Sequence, residues 1–191
     1  MIDMDKAELA IADFLVAAGV DEGEHTRETP SRVARAWREA LTGYEEDPAV
    51  HLRRQFEAPD DPGLVIVAGI RLVSTCAHHL LPITGHATVA YRPEPGNRVV
   101  GLSKLARVLH GYARRLQVQE RIGYQVVEAL RAELRPVGAA CVITATHGCM
   151  AMRGVMEPHA VTTTHALAGQ WRPEHPDVRA VLDEHNKNRE G

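Results

Sequence analysis

The chain has 191 residues, enough for one domain with a hydrophobic core and too few for two large ones. Hydrophobic residues make up 45% and aromatic residues only 4%, which argues against disorder and leaves aliphatic side chains to build the core. A formal net charge of -3 excludes a surface given over to nucleic acid but leaves room for a local basic pocket that takes a small anion.

The N-terminal stretch DKAELAIADFLVAA, residues 5–18, places Leu9, Ala12, Phe14, Leu15 and Val16 largely on one side of a helix. Asp5 and Glu8 are spaced as a capping box, and Gly19 is the stop. A second helix is expected from the cap Thr29 and Pro30 through Val33, Ala34, Trp37 and Leu41 to Gly43. The acidic segments YEEDPAV and EAPDDPG read as connectors.

From Leu64 the texture changes to β-branched runs: LVIVAGIRLVST, HATVAYR, a turn at PEPGN, and RVVGL. Two helices follow, SKLARVLHGYARRL with Ser103 as its expected cap, and VQERIGYQVVEALRAEL with Ile122, Val126, Leu130 and Leu134 on one stripe. Strand patterns return in AACVITATHGCMAMRGV and AVTTTHALAG, before a short polar helix around DVRAVLDEHNK. The order strand, strand, helix, helix, strand, strand implies an α+β architecture, an antiparallel sheet covered on one face by two helices.

The cysteines, Cys76, Cys141 and Cys149, are odd in number and lack the spacing of a secreted disulfide scaffold, which points to a reducing compartment. The acidic N-terminus does not fit a signal peptide and no apolar run is long enough to span a bilayer, so a cytoplasmic location with no membrane partner is expected.

CAHHLLP, residues 76–82, sets a thiol beside two imidazoles with no second cysteine nearby. In ITATHGCM, His147 and Cys149 are separated by one residue, so on a continuous strand both side chains face the same way. With Cys76 and His79 from the first stretch, Cys149 completes three zinc ligands, the number of a catalytic site that keeps one position for water. His78 and His147 then flank the ion without binding it, which suits proton transfer near neutral pH. Other readings stay open here: Cys141 and Cys149 as small buried hydrophobes, His147 as a satisfied core histidine, or a Cys76–Cys149 disulfide. HExxH, CxxC and the paired cysteines of the cytidine-deaminase signature are all absent.

CAHHLLP, GLSKLAR, LQVQER, ATHGCMAMRGV and TTTHALAG, in this order across roughly residues 26–170, resemble GTP cyclohydrolase I, the zinc enzyme that opens pteridine biosynthesis. The resemblance implies a tunnelling fold: an antiparallel four-stranded sheet with two helices on one face in residues 61–191, preceded by an N-terminal helical section, residues 1–60. It implies zinc on Cys76, His79 and Cys149, catalytic roles for His78 and His147, and Ser103 near the ribose. It implies GTP as substrate and formate and 7,8-dihydroneopterin triphosphate as products. Glu120, with Gln119 as companion, would read guanine, and Lys104, Arg107, Arg153, Arg32 and Arg35 would hold the triphosphate. Members form a homodecamer of two pentamers with active sites between subunits.

One position departs from the pattern. The family usually has glutamate where this chain has Ala77, removing a carboxylate beside the metal site. That change leaves open a specialised paralogue acting on a related purine nucleotide or stopping at a formamidopyrimidine, or a binding protein without turnover.

Overall fold

The computed structural model describes residues 2–60 and 62–188. Helix α1 (Met4–Ala17) starts on Asp3, whose carboxylate accepts from the Lys6 N–H at 3.2 Å, so the cap lies two residues before the expected Asp5. Gly19 follows its end with a φ of 71°, the left-handed stop that glycine provides. Helix α2 (Thr29–Ala40) carries Pro30 in its first turn, with Glu28 rather than Thr29 at the N-cap, a displacement within ordinary fraying. The two helices pack on each other, but no residue of α1 is buried, and Leu9, Phe14 and Val16 are exposed.

The YEEDPAV segment is more than a connector. Two 3-10 turns, Thr42–Tyr44 and Pro48–Leu52, bring Leu52 fully into the core. Gly43 permits the approach, since a Cβ there would collide with the Gly111 and Arg114 carbonyl oxygens. Arg115 fastens the contact, donating to the Gly43 carbonyl at 2.7 Å and to the Glu46 carbonyl at 3.2 Å.

Strand β1 (Gln55–Glu57) precedes the long hairpin of β2 (Val65–Cys76) and β3 (Pro82–Arg92) and pairs with β4 (Arg98–Val100) in a separate antiparallel ribbon. Then come α3 (Leu102–Ala113), the two-residue β5 (Leu116–Gln117), α4 (Gln119–Leu134) and β6 (Gly138–His147). A single helical turn, α5 (Gly148–Ala151), leads toward β7 (Thr162–Gly169) and the final helix α6 (Pro176–Lys187).

The fold class is α+β, as expected, but the sheet differs from the four-stranded antiparallel expectation. Its order is β5-β2-β3-β6-β7, and β5 lies parallel to β2, making a mixed five-stranded sheet. The fifth strand is two residues between helices, too short to carry a hydropathy period.

Alternation along β6 assigns its faces. Ala139, Cys141, Ile143 and Ala145 join the main core with Leu105, Leu109, Ile122, Val126 and Leu130 of α3 and α4. Ala140 and Val142 face the other way, against Trp171, Val178 and Val181, so α6 covers the opposite face. Arg92 clamps that helix through Asp177, with Nε to Oδ2 at 2.6 Å and Nη2 to Oδ1 at 2.7 Å. Among the described residues, no helix is long and apolar enough to cross a membrane.

Candidate metal centre

Cys76 ends β2, and the strand's alternation sends it to the buried face with Leu72 and Ser74. The chain then turns back sharply. The Leu80 N–H donates to the Cys76 carbonyl at 2.9 Å, and the Cys76 N–H donates to the Leu81 carbonyl at 2.8 Å. Closing this turn puts Leu80 at a φ of 55°, a left-handed conformation that costs a non-glycine residue about 1–2 kcal/mol and that clusters at functional sites. The strained turn folds His79 over the cysteine, with Nδ1 3.8 Å from the Cys76 Sγ.

Cys149 arrives by another route than the one expected. Strand β6 ends at His147, and α5 begins at Gly148, so helical curvature rather than strand alternation carries Cys149 to the site. Glycine at 148 suits this switch: a Cβ there would press on Leu81 and Pro82 of the ligand turn. The ligand atoms of Cys76, His79 and Cys149 all lie within 4.8 Å of one another.

The donor set fits a tetrahedral ion. Zinc bonds of about 2.3 Å to sulfur and 2.0 Å to nitrogen imply about 3.5–3.8 Å between ligand atoms, close to the Cys76–His79 spacing of 3.8 Å. Burial, then the hydrogen bond and charge of Cys76, push the Cys149 thiol up from its ordinary value, while Arg153 pulls it down. Two thiols so placed favour a cation between them. Cys141, by contrast, lies in the core, where burial pushes its thiol up to about 12.

His147 continues the odd-numbered face of β6 and so meets the start of α4, its Nε2 2.7 Å from Gln119 Oε1. Burial lowers its pKa and the Glu120 carboxylate opposes that shift. Glu120 is exposed in the first turn of α4. His78 is exposed on the ligand turn, its ring centroid 6.1 Å from that of His79. Ala77 is half-buried there, its N–H donating to the Gln117 carbonyl at 2.9 Å.

The cationic residues are dispersed. Arg153 acts electrostatically on Cys149 and so belongs to this end of the sheet. Helix α3 runs from the far end: β4 precedes it, where the Val100 N–H meets the Tyr91 Oη at 3.3 Å, and Tyr91 pairs with Val65 at the start of β2. Its last residue, Ala113, accepts from Ser74 Oγ at 2.6 Å, beside the ligand end. Ser103 and Lys104 therefore sit about 15 Å of helix away from that end, at about 1.5 Å per residue. Ser103 lies within the first turn and Gly101 is the N-cap, with no side-chain capping bond, which corrects the expected cap.

Arg107 lines a cleft with Thr42, His51 and Arg114. Arg32 and Arg35 are exposed on α2, Arg32 paired with Glu28 at 2.6 Å. Ala36 and Ala40 of the same helix line a neighbouring cleft of about 410 Å³ with Ser74, Thr75, His110 and Arg114.

Sequence reasoning missed Gln117 and Leu80. Gln117 pairs with Cys76 across the β5–β2 contact, and its side chain accepts from Arg121 Nε at 2.6 Å. The signal was the two-residue spacing of the glutamines in LQVQER, which places both on one buried side.

A thiol–imidazole–thiol group at the end of a packed sheet, with two further histidines beside it, has the composition of a metal-dependent catalytic centre. The chain belongs to the GTP cyclohydrolase I family, which it matches over residues 7–186. It is 46% identical over 182 residues to GTP cyclohydrolase 1 of Mycolicibacterium vanbaalenii, covering 95% of this chain and 90% of that protein. It is 48% identical over 173 residues to GTP cyclohydrolase 1 of Desulforamulus reducens, covering 90% and 91%. The protein of the same name from Carboxydothermus hydrogenoformans is 46% identical over 170 residues, 88% of each chain.

Proposed function

We propose that the chain is a zinc-dependent GTP cyclohydrolase I, converting GTP and water to formate and 7,8-dihydroneopterin triphosphate by hydrolytic opening of the guanine imidazole ring. The observation that carries this reading is the convergence of Cys76, His79 and Cys149 within 4.8 Å, in a chain of this family. Three protein ligands suit a catalytic zinc, whereas structural zinc sites close with four. Held by these residues, zinc supplies Lewis acidity that lowers the pKa of water to about 7.

The remaining chemistry falls to side chains. His147 donates a proton to guanine N7, which makes C8 electrophilic. His78, exposed on the ligand turn, carries protons during ring opening and the later ribose rearrangement. Glu120 reads guanine, since one carboxylate accepts from both N1–H and the exocyclic amine, a donor pair that adenine lacks. Lys104, Arg107, Arg153, Arg32 and Arg35 neutralise the triphosphate, and Ser103 positions the ribose.

The distance of Ser103 and Lys104 from the ligand end supports a pocket completed by a neighbouring chain. A homodecamer of paired pentamers, with tunnelling-fold sheets (residues 61–191) joined edge to edge and the helical section (residues 1–60) outside them, meets that need. It also covers the edge of β7 and the length of β2 that β5 leaves open. A cytoplasmic location accompanies this reading.

The test is incubation of zinc-loaded protein with GTP and identification of products by mass. Equimolar formate and dihydroneopterin triphosphate are expected, and His147→Ala should keep zinc while losing the pterin. Absence of formate from the wild-type protein would refute the reading.

A further inference from the structure

Gln119 is the first residue of α4, where a glutamine side chain ordinarily reaches water, yet it is only 1% exposed. The two ends of its amide have different surroundings. Nε2 lies 3.1 Å from the Ile143 carbonyl, 2.9 Å from the Thr162 carbonyl and 3.2 Å from Thr164 Oγ1. Carbonyl oxygens only accept, so this end must be the donor NH2 group. The other end is therefore the oxygen, which also only accepts, and it faces His147 Nε2 at 2.7 Å. His147 must donate from Nε2. Amide orientation and histidine tautomer, usually a matter of choice, are dictated here by two main-chain carbonyls.

We propose that Gln119 is a positioning residue that fixes the orientation of the His147 ring and its Nε2–H tautomer. This rests on His147 as the proton donor to guanine. The ring is thereby held in one orientation by a side chain that is itself fixed to the main chain. Gln119 is itself anchored to two strands, by Ile143 of β6 and by Thr162 and Thr164 of β7. Both amide hydrogens and one oxygen lone pair are engaged within the protein, which sets Gln119 apart from its exposed neighbour Glu120.

Two measurements decide the matter. Gln119→Met keeps the side-chain length and removes the acceptor. Its kcat should fall about tenfold or more while GTP affinity by equilibrium dialysis stays within about threefold, because the lost interaction orients a proton donor and does not bind substrate. Glu120→Gln should show the reverse pattern. A loss of GTP affinity in Gln119→Met with kcat retained would overturn the proposal and make Gln119 a guanine contact.

The substitution strands two carbonyls and risks misfolding, so the second measurement uses the wild-type chain. Solid-state NMR of zinc-loaded, isotope-labelled, substrate-free protein at about pH 8.5, well above an ordinary histidine pKa of about 6.5, reads the tautomer directly. His147 is assigned by the signals lost in His147→Ala. A protonated Nε2 with a bare Nδ1 supports the proposal, and the reverse pattern or a doubly protonated ring overturns it. The tautomer is readable even in a protein that makes no formate, so it fails independently of the catalytic reading.

Discussion

Two cysteines eight residues apart in sequence should respond oppositely to removal. Cys149 is half-buried at the start of α5 with its sulfur in the Cys76–His79 group, whereas Cys141 is fully buried among core residues of β6. Zinc on a complete set of four ligands is worth about 10–16 kcal/mol, so each ligand carries about 2.5–4 kcal/mol. At about 1.4 kcal/mol per decade, Cys149→Ala should weaken zinc affinity by about a hundredfold to a thousandfold. Cys141→Ala leaves the ligands alone and opens a small core cavity, costing about 1–2 kcal/mol of stability with zinc affinity unchanged. Competition with a chromophoric chelator measures the first quantity and denaturant unfolding the second. Wild-type zinc affinity in Cys149→Ala would refute the ligand assignment. Equal zinc loss in both variants would show that the metal reports general integrity of the core.

Arg92 hydrogen bonds and charge hold the Asp177 carboxyl below its ordinary value of 3.8. A depressed folded pKa contributes stability that is full above the unfolded value and lost as pH falls through the lower folded one. Asp177→Asn should therefore cost about 1.5–3 kcal/mol at neutral pH, a gap that closes in acid, measured by denaturant unfolding at both pH values. If Lys104 serves a neighbour's pocket, Lys104→Ala and His147→Ala chains co-expressed in equal amounts should form sites carrying both intact residues. About a quarter of wild-type activity should return under random assembly, whereas none returns if each pocket is built from one chain.

The sequence made the elements legible where hydropathy had room to repeat. The stripe Ile122, Val126, Leu130 and Leu134 is buried as expected, and the strands of the main hairpin lie where β-branched runs begin. It was less informative where structure is short or depends on long-range contacts. Nothing local marked β5 as a strand, since its pairing depends on Cys76 forty residues earlier in the chain. The YEEDPAV segment reads as an acidic connector, yet it enters the turn Pro48–Leu52, which brings Leu52 into the core beside the close approach of Gly43 to Gly111. Cys149 comes within 4.8 Å of Cys76 and His79 by a route that alternation does not foretell, because local backbone at His147-Gly148 turns helical where alternation alone continues a strand. Leu80 carries no sequence mark of its left-handed conformation, as leucine is among the residues least suited to it.

The segment LQVQER explains why these parts sit at one end of the sheet. Gln117, in strand conformation, meets Cys76 through backbone pairing and Ala77 through its carbonyl. Two residues on, where the strand gives way to α4, Gln119 turns to the same buried side and meets His147. Glu120 then faces outward because the helix has begun. The Cys76–Ala77 turn, His147 and the exposed Glu120 carboxylate are thus referenced to six consecutive residues that change conformation once, at Val118. Inserting one residue there would reverse which side chains are buried, so the pairing with Cys76 could persist only if the contact with His147 were lost.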